Sequence, residues 1–141
     1  MANKQKLLKA LGYLAENTSV AAFPDAWRSC FYDCTNLNEV SAALLPAVPN
    51  GTSDIFANMF SGCSSLAASI NDLITAHVMS GVRLNASSYN MSRTFQNCSK
   101  LTGSAQTAIN TGFGGAVPSS DRGTFYGCSS LDLSDVAANW Q

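Results

Sequence analysis

The chain repeats one short phrase four times, and this repetition constrains its fold more than any other feature. Each copy has a phenylalanine, a cysteine three residues later and a leucine six residues later: FYDCTNL, FSGCSSL, FQNCSKL and FYGCSSL. Successive copies begin 29, 35 and 30 residues apart in a chain of 141. Such a period is typical of a solenoid, in which each unit buries its apolar face by stacking on its neighbours. The structural repeat positions are Phe31, Cys34, Leu37, Phe60, Cys63, Leu66, Phe95, Cys98, Leu101, Phe125, Cys128 and Leu131.

The similarity continues beyond the leucine with a serine and then a partly apolar run. A serine hydroxyl can accept a free backbone N–H at the start of a helix, and Asp72 has the spacing of a capping box. Each unit is therefore predicted to contain a short helix. The connections after these runs are rich in glycine and proline and are predicted to be loops, the last of them from Thr111. The capping serines are Ser69, Ser104 and Ser134.

The segments NMFSGCSSL and TFYGCSSLDLS resemble the BspA-like leucine-rich repeats and the related repeat of mycoplasma-type bacterial surface lipoproteins. The resemblance implies a solenoid of stacked turns, and members of these families are mostly cell-surface binding proteins. Their units are shorter, at roughly 20 residues or slightly more. Only Leu131 and Leu133 reproduce the tight leucine pair, so the presence of a continuous parallel sheet stays open.

These observations predict an α/β fold, namely a short, irregular leucine-rich-repeat-like solenoid of about four turns with an N-terminal capping helix. Residues 1–20 are assigned to the cap, because Leu7, Leu11 and Leu14 share one face of an amphipathic helix. Residues 21–141 are assigned to the solenoid, and the whole chain forms one domain. A helix lying on a membrane surface is the alternative for the N-terminal segment.

Composition narrows the classes of partner. The net charge is −1 and only 12% of residues are charged, so the chain lacks the positive field that holds a phosphate backbone. We therefore expect no nucleic acid partner. No run reaches the roughly 18 apolar residues of a membrane span, and the N-terminus lacks the continuous apolar core of a secretory signal.

The five cysteines have three interpretations. We favour a reduced, buried ladder of small apolar side chains, because cysteine is among the most buried residue types. Equivalent residues of stacked turns also lie within the Cα range of a disulfide, and a metal site is the third interpretation. Cys30 lies outside the repeat and is expected to pack beside Phe31, although CFYDC could also place Cys30 and Cys34 on one helical face.

No enzymatic constellation is apparent, and we expect no catalytic residue, cofactor or metal. His77 is the only histidine, and its surroundings match no nucleophilic site. A histidine near a helix C-terminus commonly interacts with the helix dipole. The acidic residues are scattered singly, without the pair that a glycosidase needs.

We therefore expect a non-enzymatic structural or binding module. A bacteriophage virion component (fibre, tail or capsid decoration) fits a weakly charged chain without a recognisable export signal, since virions assemble in the host cytoplasm. The alternative is a bacterial cell-surface adhesin, or a fragment of one, that binds host protein or glycan. A protein partner or self-association is expected in both cases.

The end of the sequence suggests an assembly contact. The chain stops ten residues after Leu131, and an uncovered solenoid end would expose apolar groups. One hypothesis is that Leu133, Val136 and Trp140 pack against another subunit or protein. The alternative is that Trp140 folds back over its own last turn. Tyr89 and Phe113, in or near predicted loops, are candidates for contacts or for interior packing.

Overall fold

The structure is a computed structural model of the chain, and it describes residues 28–40, 54, 56–79, 90–114 and 122–141. These ranges include all four copies of the phrase, which we call units 1 to 4. The predicted N-terminal cap, residues 1–20, lies outside the described residues. Helix α1 spans Ile70–Leu73, helix α2 spans Ala105–Phe113, and a 3₁₀ helix spans Ala138–Trp140. The units are residues 31–37, 60–66, 95–101 and 125–131.

Each unit consists of two consecutive tight turns. In unit 2 the N–H of Cys63 donates to the carbonyl of Phe60, and the N–H of Leu66 donates to the carbonyl of Cys63, both at 3.0 Å. The other three units contain the same pair of bonds. The residue two positions after the phenylalanine has a positive φ, which interrupts any helix. These residues are Asp33, Gly62, Asn97 and Gly127, with φ of 54°, 81°, 61° and 75°.

Neighbouring units are joined by backbone hydrogen bonds, and the bonds donated at and beside the phenylalanines all run toward the following unit. The phenylalanine N–H of one unit donates to a carbonyl of the next, and the residues two before and two after it do the same. The backbone of each unit is therefore satisfied by its neighbours, as expected for stacked repeats. The bonds made by the phenylalanines are Phe31 to Met59, Phe60 to Thr94 and Phe95 to Thr124, at 2.9, 2.8 and 3.0 Å.

The four phenylalanine rings stack in a column that we call the ring column. Ring centroids of successive units lie 5.3, 5.5 and 6.1 Å apart, and neighbouring ring planes differ by no more than 10°. The leucines of all four units are buried beside the rings. Burial of aromatic and leucine side chains at every step supplies the main stabilising term of the described core.

At the position two residues after the phenylalanine, the units carry in turn a side chain and a glycine, and the packing explains why. A Cβ placed on Gly62 would meet Oδ1 of Asp33, and one placed on Gly127 would meet Oδ1 of Asn97. The aspartate or asparagine of one unit thus occupies the space that a side chain of the next unit would need. Asn, Asp and Gly are also the residues that tolerate a left-handed backbone best.

This packing predicts different costs for two glycine substitutions, one just before unit 4 and one within it. Gly123→Ala and Gly127→Ala both place a side chain at positive φ, which costs about 1–2 kcal/mol. At Gly123 the nearest atom to a new Cβ is 3.7 Å away, whereas at Gly127 even the backbone Cα of Asn97 is only 3.3 Å away. Overpacking should add about 1–3 kcal/mol for Gly127→Ala alone. Urea unfolding of both variants measures the difference, and equal losses would contradict the packing explanation.

After each of units 2 and 3 the chain makes one parallel bridge and then enters a helix. Ser69 pairs with Thr102, and Ser104 pairs with Asp132. Because a helix begins directly after each serine, the extended segment ends there, and no longer strand occurs among the described residues. The α/β class and the leucine-rich-repeat-like solenoid stay predictions.

The predicted serine caps are present on both α-helices. The Ser69 hydroxyl accepts the N–H of Asn71 at 3.3 Å, and the Ser104 hydroxyl accepts the N–H of Thr107 at 3.2 Å. The cap predicted at Ser134 is wrong. Its N–H and hydroxyl both donate to Asp132, at 3.1 and 2.8 Å, and the 3₁₀ helix begins four residues later.

Helix α2 runs further than the sequence suggested. The loop predicted from Thr111 begins only at Gly114, which ends the helix with φ of 59°. Gly112 is buried against α1, and a Cβ there would lie 3.2 Å from the backbone oxygen of Ile74. Because the helices approach so closely, Phe113 lies in the core and is only 1% exposed. Of its two suggested roles, Phe113 therefore has interior packing and not a surface contact. Tyr89 lies outside the described residues.

The 3₁₀ helix covers unit 4 and continues the ring column. Trp140 lies between Phe125 and Phe113, with ring centroids 5.8 and 5.7 Å away. The N–H groups of Gly123 and Phe125 donate to the carbonyls of Asn139 and Trp140 at 2.9 and 2.8 Å. The last residues thus supply the acceptors that a following unit would supply.

This arrangement bears on the assembly contact proposed for Leu133, Val136 and Trp140, which stays a prediction. Val136 and Trp140 are each only 6% exposed, and Leu133 packs half-buried against the same core. All three side chains are therefore engaged within the chain itself. The alternative, in which Trp140 folds back over its own last turn, describes the structure.

Candidate functional site

The cysteines of units 2 to 4 form hydrogen bonds between units. The thiol of Cys63 donates to the carbonyl of Phe31 at 3.0 Å, that of Cys98 to Phe60 at 3.1 Å, and that of Cys128 to Phe95 at 3.0 Å. These bonds run opposite to the backbone bonds and tie each unit to the preceding one. Cysteine is therefore more than a small apolar residue here, because it also supplies a weak donor.

The serines that follow two of these cysteines reinforce the same connection. The Ser99 hydroxyl donates to the carbonyl of Ser64 at 3.3 Å, and the Ser129 hydroxyl donates to the carbonyl of Ser99 at 3.4 Å. The recurring Cys-Ser pair is thus explained by hydrogen bonds to the preceding unit. Nothing in its geometry requires a ligand.

Burial raises the pKa of all three thiols above the ordinary value of 9.0. It raises the pKa of Cys63 to about 12 and that of Cys128 to about 12, and it also raises the pKa of Cys98 strongly. Nearby cysteines add to the effect at Cys63 and Cys98. A protonated thiol is the form that can donate to a carbonyl, so the pKa shifts agree with the hydrogen bonds.

The raised pKa values predict a loss of stability at alkaline pH. Between the ordinary pKa of 9.0 and the raised value of about 12, the unfolded chain loses protons that the folded chain retains. The free energy of unfolding should therefore fall above pH 9, by about 1.4 kcal/mol per pH unit for each buried thiol. Below pH 9 the thiols are protonated in both the folded and the unfolded chain, and their contribution to the free energy of unfolding is fully present.

Cys98→Ser isolates one of these thiols, since serine can still donate to Phe60 but does not titrate in this range. We expect the fall in unfolding free energy between pH 9 and 11 to be shallower in the variant by about 1.4 kcal/mol per pH unit. Urea unfolding at several pH values measures both slopes. Identical slopes would show that Cys98 is not a buried thiol.

Unit 1 differs from the others, because its Cys34 and the adjacent Cys30 are both exposed. Cys34 occupies the same position as the buried thiols but is exposed, so the predicted buried ladder does not extend to it. Cys30 is exposed as well, and its expected packing beside Phe31 stays a prediction. Partial burial and the nearby Cys34 raise the pKa of Cys30.

The remaining chemical candidates are dispersed. His77 is exposed and lies four residues beyond the end of α1, so the predicted interaction with the helix dipole is wrong. Asp54 pairs with Arg28 at 3.3 Å, and hydrogen bonds from Ser134 lower the pKa of Asp132. In the part of the chain that the structure describes, no three His, Cys, Asp or Glu side chains come together as a metal site would require.

One further surface is formed by the residues that directly follow the phenylalanine in each unit. The position directly after the phenylalanine holds Tyr32, Ser61, Gln96 and Tyr126 in units 1 to 4. Tyr32 is 54% exposed and Tyr126 is 59% exposed, and they are the large apolar side chains that lie most open among the described residues. The sequence interpretation missed them, although aligning the four phrases places both tyrosines in one column.

None of the helices in the described ranges is long and apolar enough to cross a membrane. Comparisons of the chain with protein-family models, with curated proteins and with solved structures found no match.

Proposed function

We propose that this chain is a non-enzymatic structural and binding module that serves in a bacteriophage virion, as part of a fibre, a tail or the capsid decoration, in assembly or host attachment. The observation that carries the proposal is the continuous connection between units. Forward backbone bonds, backward thiol bonds and the ring column link each unit to the next. A scaffold connected in this way presents its exposed side chains at fixed spacings.

Such rigidity favours binding over catalysis. A preformed surface loses little conformational entropy when a partner binds, so more of the contact energy appears as affinity. The exposed positions of the units are mostly hydroxyl, amide and glycine, in keeping with a chain of which only 12% is charged. The resemblance to bacterial surface repeats supports a role in contact with other molecules.

The virion assignment is tested by locating the protein. Particles released by lysis and the envelope fraction of the same culture are purified separately, and peptides of this chain are quantified by mass spectrometry in both. Enrichment in the particles is the expected result. Enrichment in the envelope alone would contradict the virion assignment and favour the cell-surface adhesin. Turnover in a broad hydrolase and transferase screen would contradict the non-enzymatic part.

A further inference from the structure

Tyr32 and Tyr126 lie on one face of the molecule, at opposite ends of the same column of positions. They share the position directly after the phenylalanine, and the units stack in register, since neighbouring phenylalanine rings are parallel to within 10° and the side chains of Ser61 and Gln96 at this same position touch at 3.4 Å. Units 2 and 3 lie between the two tyrosines, and the phenylalanine rings of successive units are 5.3, 5.5 and 6.1 Å apart. We call the surface between and including them the tyrosine face.

The middle of the tyrosine face is low and polar. Ser61 is only 3% exposed, so the surface dips between Tyr32 and Gln96. The Ser61 hydroxyl bonds to the Gln96 side chain at 3.4 Å, which restrains that amide. Next to them, Gly62 lacks a side chain and Asn97 contributes an exposed amide. The face therefore presents two rigid rings with hydrogen-bonding groups between them.

The tyrosine face has little net charge. Asp33 in unit 1 and Lys100 in unit 3 are exposed charged residues of opposite sign. The exposed Arg93 also lies near Tyr126, because its Cγ and the Cβ of Tyr126 lie 4.0 and 3.7 Å from the Cβ position of Gly123. Tyrosine combined with serine, glycine and asparagine is also the composition of antibody paratopes, where the rings supply contact area and the small polar residues supply adaptable hydrogen bonds. A partner for this face needs neither net charge nor a large apolar patch.

We propose that the tyrosine face binds an uncharged polysaccharide laid along the units, with the apolar faces of sugar rings on Tyr32 and Tyr126 and sugar hydroxyls on Gln96 and Asn97. This deepens the proposed role in host attachment and rests on it. A protein partner fits less well, because stable protein interfaces have an apolar core surrounded by a polar rim. The tyrosine face has the reverse arrangement, with a polar centre and apolar ends.

The experiment uses the full chain on an array of immobilised glycans that carries neutral glucans, mannans, galactans and N-acetylglucosamine polymers beside acidic polysaccharides. We expect retention on at least one neutral polymer, with little change as salt is raised, because screening acts only on charges. Tyr32→Ser and Tyr126→Ser, which introduce the residue of unit 2, should each weaken binding about tenfold or more, the loss of an aromatic anchor. Tyr126→Phe should retain most of the binding.

Thr107→Ala, at an exposed position of α2, is the matched control and should bind like the parent. Because both tyrosines are exposed, their variants should also keep the parent's unfolding midpoint, which separates binding from folding. The proposal is overturned if no neutral polymer is retained, if only acidic polymers bind, or if the serine variants bind like the parent. Capture on deglycosylated envelope protein without any neutral glycan bound would assign the face to a protein. Detection of the chain in particles does not depend on glycan binding. The virion assignment therefore stands or falls separately from glycan binding by the tyrosine face.

Discussion

Replacing Phe95 with alanine is expected to lower the free energy of unfolding by about 3 to 5 kcal/mol. Phe95 is 3% exposed and is covered on both faces by rings, with Phe60 at 5.5 Å and Phe125 at 6.1 Å. The backbone bonds of unit 3 to its neighbours prevent the adjacent units from closing the gap, so a cavity should remain. Since a domain of this size is stable by about 5 to 15 kcal/mol, much of its stability would be lost.

Urea unfolding of the Phe95→Ala variant measures this cost. Lys100→Ala is the matched control, because Lys100 is exposed in the same unit and its truncation should change stability by less than about 0.5 kcal/mol. If Phe95→Ala unfolded at the same urea concentration as the control, the ring column would not be the core of the protein.

Trp140→Ala is expected to cost about as much, roughly 3 to 5 kcal/mol, because it removes the last ring of the column. Deleting residues 138–141 should cost more. The deletion also removes the carbonyls that accept the N–H groups of Gly123 and Phe125, and an unsatisfied buried group costs about 1 to 3 kcal/mol. Asn139→Ala is the control, since its side chain is exposed and its carbonyl remains.

Light scattering of the same proteins distinguishes a lid on the chain's own core from a contact with another subunit. With Trp140 packed on Phe125 and Phe113, neither variant should change the molar mass of the folded protein. An oligomeric parent that separates into stable, folded subunits on deletion would instead show that residues 138–141 mediate assembly.

The order of units and the identity of their buried residues could be predicted from the sequence alone. Phe60, Cys63 and Leu66 recur at spacings that match two successive turns, and the phenylalanine and the leucine are buried in every copy. Ser69 and Ser104 were predictable as helix caps for a similar reason, since a cap depends on residues two or three positions away. Local chemistry determined these features.

Contacts between residues about 30 positions apart were decided only by the tertiary structure. The alternation of Asp33, Gly62, Asn97 and Gly127 has no local cause, because each side chain fills space above a glycine of the next unit. The thiol donors, the exposure of Cys34 and the shared face of Tyr32 and Tyr126 depend in the same way on how units stack. Trp140 shows this most clearly. Its sequence neighbourhood fits a lid and an interface equally well, and only the position of Phe125 and Phe113 on either side of its ring makes it a lid.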